Sequence, residues 1–166
     1  MALWLSRWFR PTRRLDLTWV TPQLAVGGRF DADQVPDLAK AGIRAVVDLR
    51  SEHCDDAVLL ARHGIQFLHL PVADTHAPTA EQLERALDWI ARHLAEERPL
   101  FVHCHGGQGR SVTLVCAVLI RQGYSLAAAY DLVRRRRWHV APTEAQLACL
   151  RDLTADGHHD STCCAC

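Results

Sequence analysis

Apolar positions along this chain switch between a period of two and a period near 3.6, and the switch divides it into alternating strands and helices. Leu24-Ala25-Val26 ahead of Gly27 and Gly28 predicts a short strand. Ile43 to Leu49 is rich in β-branched residues and predicts a buried one. Ile65 to Val72 alternates as a strand should, with Pro71 as its stop, and Pro99 to Cys104 predicts a central strand. Between them lie helical patterns. Asp33 is expected to cap a short helix carrying Val35, Leu38 and Ala39 on one face, with Gly42 past its end. Asp55 to Gly64 reads as a helix with acids at its start. Thr79 and Gln82 form a capping box ahead of Leu83, Leu87, Ile90 and Leu94 on one face. Arg110 to Gly123 reads as a mostly buried helix, and Ser125 caps another that runs into Arg134–Arg137. A second capping box, Thr143 with Gln146, precedes Leu147, Leu150 and Leu153.

Strands alternating with helices predict one α/β domain, a central and mainly parallel twisted sheet flanked by helices. The predicted domain covers residues 18–155, between an N-terminal arm (1–17) and a disordered, His- and Cys-containing tail (156–166). A chain of 166 residues buries a core of useful size without disulfide staples. In such sheets ligands sit beyond the carboxyl ends of the strands. The stretch Cys104 to Arg110 falls there, between a strand and a helix.

Composition narrows the partners. Hydrophobic residues make up 49% and charged residues 23%, and the formal net charge is zero, so no global field points to nucleic acid. Seven cysteines without regular spacing do not make a disulfide framework, and a reducing, cytoplasmic setting is expected. Arginines interrupt the apolar residues of the first fourteen positions, which argues against a signal peptide, and no run is long enough to span a bilayer. Trp4, Leu5, Trp8 and Phe9 among those arginines suit either packing on the domain, the favoured reading, or weak contact with a membrane surface.

The loop Cys104-His105-Gly106-Gly107-Gln108-Gly109-Arg110 has the makings of an anion cradle. Backbone N–H groups between a strand end and a helix start can surround a small oxyanion. Gly106, Gly107 and Gly109 permit positive φ and close approach. Arg110 offers a planar fork suited to phosphate. A thiol facing a helix N-terminus and an arginine is favoured as its thiolate, which makes Cys104 a nucleophile, and the Ser111 hydroxyl can donate to it. A departing alkoxide needs a proton donor. Asp74, after the neighbouring strand, is the first choice and His76 the second.

C-x5-R followed by Ser, after "VHC", resembles the signature of cysteine-dependent protein tyrosine phosphatases. Asp74 in "LPVADTHAP", about thirty residues upstream, with "LAVGG", "GIRAVVDLRSE" and "PTEAQL", narrows the resemblance to the small dual-specificity branch. It runs from about Trp19 to Leu153. The resemblance implies a metal-free, cofactor-free hydrolysis through a phosphocysteine. Cys104 attacks, Arg110 and the amides of His105 to Gly109 bind phosphate, and Asp74 acts as acid and then base. Ser111 steadies the thiolate, His103 orders the loop, and Gln146 stands where such proteins often keep a glutamine near the attacking water. A phosphorylated protein is the expected substrate. Phosphoinositides, inositol phosphates and RNA 5′-phosphates are alternatives, although His105 and Gln108 stand where lysines would favour a polyanion. A phosphopeptide-binding module is the reading from outside enzymology.

Other features have duller readings. Zinc binding by His103, Cys104 and His105 is disfavoured, because neighbouring residues at a strand end point apart. Cys54 is expected to be a structural thiol rather than a disulfide partner for Cys104. Cys116 and Cys149 are expected in the core. The arginines Arg134–Arg137 read equally well as a solvated helix end and as a basic rim.

Overall fold

A computed structural model describes residues 14–156, so expectations for most of the arm and for the tail lie outside the described residues. Five strands form one sheet in the order β1-β2-β5-β3-β4, where β1 is Leu17–Thr21, β2 Leu24–Gly27, β3 Ala45–Arg50, β4 Gln66–Val72 and β5 Leu100–His103. Only β1 runs antiparallel, to β2; the other three pairings are parallel. The sheet is therefore mainly parallel, as the alternating pattern predicts. Register follows the side-chain period. Ala25, Phe101 and Val46 stand in line across β2, β5 and β3, and so do Val26, Val102 and Val47 one residue on. The first set packs beneath α1 (Val35–Lys40) and α2 (Ala57–Arg62), through Val35, Leu38 and Leu60. The second set faces α3 (Ala80–Ala95), α4 (Arg110–Arg121), α5 (Leu126–Arg136) and α6 (Glu144–Asp156). Successive residues of a strand point to opposite faces, so a one-residue slip would exchange the two cores.

Helix α4 is the buried axis of this second layer. Every residue from Arg110 to Leu119 is buried, polar ones included, because α3, α5 and α6 close around it. Its N-terminus lies where β5 ends, six residues after Cys104.

The departures from expectation have local causes. Strand β1 is not predicted: its residues are only half-buried except Val20, so no clean alternation marks them. Asp31, not Asp33, stands at the cap position, leading a 3₁₀ turn Ala32–Gln34 into α1, and Gln34 accepts the Asp31 N–H at 2.9 Å. Asp56 caps α2 through the Leu59 N–H, because Asp55 turns inward instead. Pro71 stays inside β4, an edge strand, where a missing donor is tolerated. Cys116 is buried as expected, whereas Cys149 is only half-buried. Among the described residues no helix is long and apolar enough to cross a membrane.

Candidate active site

The loop after β5 is held from outside by its carbonyl groups. The His105 carbonyl accepts the Arg29 N–H at 3.0 Å, and that of Gln108 accepts the Ala141 N–H at 3.0 Å. Between them, Arg137 donates through Nη2 to the Gly106 carbonyl at 3.3 Å and through Nε to the Gly107 carbonyl at 2.6 Å. A planar peptide places its N–H opposite its C=O. Four consecutive carbonyls tied outward therefore turn the N–H groups of residues 106–109 toward the other side, and the Gly107 N–H meets Cys104 Sγ at 3.3 Å. This is the arrangement an oxyanion requires.

Gly107 is needed for that turn. Its φ is +66°, and a Cβ there would stand 2.4 Å from the Gly27 backbone and from the Arg137 guanidinium. Of the three loop glycines that permit positive φ, only Gly107 adopts it. Gly109 matters through space instead, since a Cβ would press on the Gln146 amide at 2.8 Å.

Cys104 is buried, with Sγ 3.4 Å from the Ser111 hydroxyl, itself fully buried. Arg110 begins α4 with its guanidinium pinned on one edge. Nη1 donates to Glu52 at 2.8 Å and to the Val72 carbonyl at 2.9 Å, and Nη2 donates to Glu52 at 2.9 Å. Asp74 Oδ1 lies 3.2 Å from Nη2, with the Asp74 side chain otherwise open to solvent. Arg110 Nε is buried and has no partner among the described residues. Asp74, Cys104, His105, Gly109, Arg110 and Gln146 line one cavity of about 400 Å³, and a tetrahedral anion there would find an acceptor-hungry wall.

The acid-bearing loop is itself fastened. Thr75 sits at φ +66°, a left-handed conformation that costs a threonine about 1–2 kcal/mol. Thr143 donates to the Thr75 carbonyl at 2.8 Å, Gln146 Nε2 to the His76 carbonyl at 2.9 Å, and His76 Nδ1 lies 2.9 Å from the Asp74 carbonyl. His76 is thus engaged with backbone, and Asp74 alone of the two lines the cavity.

Beneath the loop lies a buried charged cluster. His103 Nε2 donates to Asp55 at 2.7 Å, and Arg50 pairs with both Asp48 and Asp55. Burial opposes the Asp55 carboxylate, but the His103 hydrogen bond and the Arg50 charge outweigh it and hold its pKa below the usual range. His103 faces this cluster while Cys104 faces Ser111, so the two do not converge as ligands. Asp48, Asp55 and His103 do bring ligand atoms within 4.8 Å of one another, but the Arg50 guanidinium already holds both carboxylates. Cys54 is exposed and lines a separate cavity with Phe30 and Asp56; Cys104 is not among that cavity's walls.

A family model described as "Polymorphic toxin system, DSP-PTPase phosphatase" matches residues 26–124, more than half of the chain. The chain belongs to the DSP-PTPase phosphatase family. Dual specificity protein phosphatase 9 of Homo sapiens is 28% identical over 126 residues, covering 74% of this chain and 32% of that protein. Phosphatidylglycerophosphatase and protein-tyrosine phosphatase 1 of Mus musculus is 26% identical over 118 residues, covering 67% and 61%. The chain thus spans about a third of the length of the curated dual specificity phosphatases it matches. Among solved structures, Tk-PTP in its active form superposes with a TM-score of 0.79 at 29% identity, over 86% of this chain and 99% of that one. PTPMT1, at 22% identity, shares the fold with a TM-score of 0.78, over 87% and 99%.

Sequence reasoning locates the loop and Asp74 in this DSP-PTPase but assigns no role to Glu52, Asp55 or Arg137. The Arg134–Arg137 run needs correction at its last member. Arg137 is buried and reaches across to Asp16 (2.9 and 2.8 Å) and Thr18 as well as to the loop. The available signal was spacing, since Ala129, Val133 and Arg137 share a helical face, all buried.

Two tests follow from this geometry. Replacing Arg137 by Leu strips two loop carbonyls of their donor, so urea denaturation should show a loss of roughly 3 kcal/mol. Tungstate affinity should fall with it, whereas Arg136→Ala, one residue away and exposed, should alter neither. The second concerns Glu52, whose pKa the Arg110 hydrogen bond lowers from 4.5 to about 2. A depressed carboxylate stabilises the fold fully above 4.5 and loses that contribution as pH falls toward 2. The stability gap between wild type and Glu52→Gln, about 1 kcal/mol after solvent screening, should be flat from neutral pH to 4.5 and then close.

Proposed function

We propose that this chain hydrolyses phosphate monoesters through a phosphocysteine at Cys104. The observation that carries this reading is the convergence of Cys104 Sγ, Arg110 and Asp74 on one cavity backed by inward-turned loop N–H groups. In the first step the Cys104 thiolate bonds to phosphorus, the P–O bond to the leaving group breaks, and Asp74 gives that oxygen its proton. The amides of residues 106–109, with Arg110, carry the negative charge on the three equatorial oxygens. In the second step water attacks the phosphocysteine, Asp74 takes a proton from it, and the S–P bond breaks to return thiolate and inorganic phosphate. The Ser111 hydroxyl, 3.4 Å from Sγ, steadies that departing thiolate. Both ends of the Gln146 amide are already used, Oε1 by the Thr143 N–H and Nε2 by the His76 carbonyl. That supports a part in holding the acid loop rather than in gripping water.

The substrate we favour is a phosphorylated protein, phosphotyrosine first, with phosphoserine and phosphothreonine within reach. The dual specificity relatives support this, and so does a loop with His105 and Gln108 at its exposed positions and no lysine. A phospholipid headgroup is the second reading, favoured by the relative named for phosphatidylglycerophosphate as well as phosphotyrosine, of which this chain covers 61%. The four described cysteines are free thiols, which supports a cytoplasmic place of work.

With an aryl phosphate as substrate, Cys104→Ser should lose at least roughly a thousandfold in kcat yet still bind tungstate; turnover near wild type would sink the phosphocysteine. Asp74→Asn should lose roughly a hundredfold on alkyl phosphates and much less on activated aryl phosphates, where the leaving group needs no proton. Equal losses on both would remove Asp74 from the acid role. Phosphopeptides should be turned over with higher kcat/KM than phosphatidylglycerophosphate or phosphoinositide vesicles, measured side by side as phosphate release. The reverse ranking would establish the lipid reading.

A further inference from the structure

The segment from Arg137 to Ala141 is tied to the catalytic loop at both ends, by Arg137 to Gly106 and Gly107 and by the Ala141 N–H to Gln108. Between these ties stands Trp138, 92% exposed. Only Val58 and Tyr124 join it as exposed large hydrophobics among the described residues, and both are far better covered. Arg134, Arg135 and Arg136, all exposed, precede it at the end of α5, with Arg134 sharing a weak surface pair with Asp131 at 3.4 Å. Ala141, three residues beyond Trp138, forms part of the wall of the cavity that holds Cys104 and Arg110.

We propose that Trp138 and Arg134–Arg136 dock the protein on an anionic bilayer surface beside its active-site mouth. An indole is at home in the headgroup region, where its ring is apolar and its N–H is wetted, and each arginine gains from anionic lipid within a Debye length. A protein partner would need to enclose Trp138 from its own side, since the described residues leave it 92% exposed. An apolar groove formed by Ile120, Tyr124, Leu126 and Leu153 lies at the other end of α4. A bilayer needs no such complementary shape. A second observation favours it. The first fourteen residues hold Trp4, Leu5, Trp8 and Phe9 with four arginines and no acid. They join the described fold next to Asp16, whose carboxylate is bonded to Arg137, the neighbour of Trp138. A segment whose composition also suits a membrane surface thus precedes Asp16, the residue bonded to the neighbour of Trp138. Docking in this way brings the mouth to the bilayer and leaves open whether the phosphate there is carried by a protein or a lipid.

The test is co-sedimentation of the full chain with vesicles of phosphatidylcholine alone, or with about a third phosphatidylserine. Binding should require the anionic lipid and fall as salt rises. Trp138→Ala and the triple variant Arg134→Gln/Arg135→Gln/Arg136→Gln should each weaken it, and together lower affinity by about tenfold or more. Aryl phosphate turnover in solution should be unchanged in these variants, which shows that they fold. Cys104→Ser should bind vesicles like wild type, so failure of docking is distinguishable from failure of the phosphocysteine reading. The proposal is overturned if wild type ignores anionic vesicles, or if the variants bind them undiminished. It is equally overturned if these residues instead govern affinity for an acidic phosphopeptide, which would assign the face to a protein partner.

Discussion

The hold of Arg137 on the carbonyls of Gly106 and Gly107 is the constraint on which the rest of the site depends. A loop that is to bind an anion must aim several N–H groups at one point, and each peptide group can do so only if its carbonyl faces away. Unsupported, those carbonyls would turn to water, and nothing would favour one orientation over another. Arg137 fixes two of them with a single planar fork, and backbone N–H groups from β2's exit and from the segment before α6 fix the flanking two. The loop from Cys104 to Arg110 is thus shaped from its outer side, and of the residues that shape it Arg29 and Arg137 do not line the cavity.

This dependence ties distant parts of the chain to the chemistry. Arg137 is itself aimed by Asp16 and Thr18, so an antiparallel edge strand with modest burial contributes to loop geometry at the opposite end of the sequence. On the other flank Arg110 is aimed by Glu52 and the Val72 carbonyl, which leaves Nε as the buried donor still to be satisfied. A buried N–H group is matched by an acceptor, and in the proposed reaction a phosphate oxygen in the cavity is that acceptor.

How much of this was legible in the sequence depends on whether the signal is local. Strands β2, β3, β4 and β5, both capping boxes and the loop from Cys104 to Arg110 announce themselves through periodicity and residue type within a few positions. So does Asp74, because the parallel strands of one sheet deliver their following loops to the same edge, although β4 and β5 are not the neighbours expected from the sequence, β3 standing between them. Arg137 is fainter: within a run of four arginines only its spacing from Ala129 and Val133 sets it apart, and that says it is buried without saying what it holds. Glu52 and Asp55 were hidden. Each is an ordinary surface-type residue whose partner, Arg110 or His103, stands 58 or 48 positions away. The strain at Thr75 was illegible too, because threonine is not a residue that advertises a left-handed turn.

That strain connects the acid to the loop it serves. Thr75 keeps its unfavourable backbone only because Thr143 and Gln146, at the start of α6, hold the carbonyls of residues 75 and 76. Gln146 also stands against Gly109, close enough that a methyl group there would collide with it. One capping-box residue therefore sets the distance between the acid-bearing loop and the start of α4, and with it the reach from Asp74 to the cavity. The segment that delivers this residue is the same one that ties the Gln108 carbonyl and displays Trp138 at the rim. The stretch from Ala141 to Gln146 is thus bonded to both loops, to the Gln108 carbonyl on one side and to the carbonyls of residues 75 and 76 on the other.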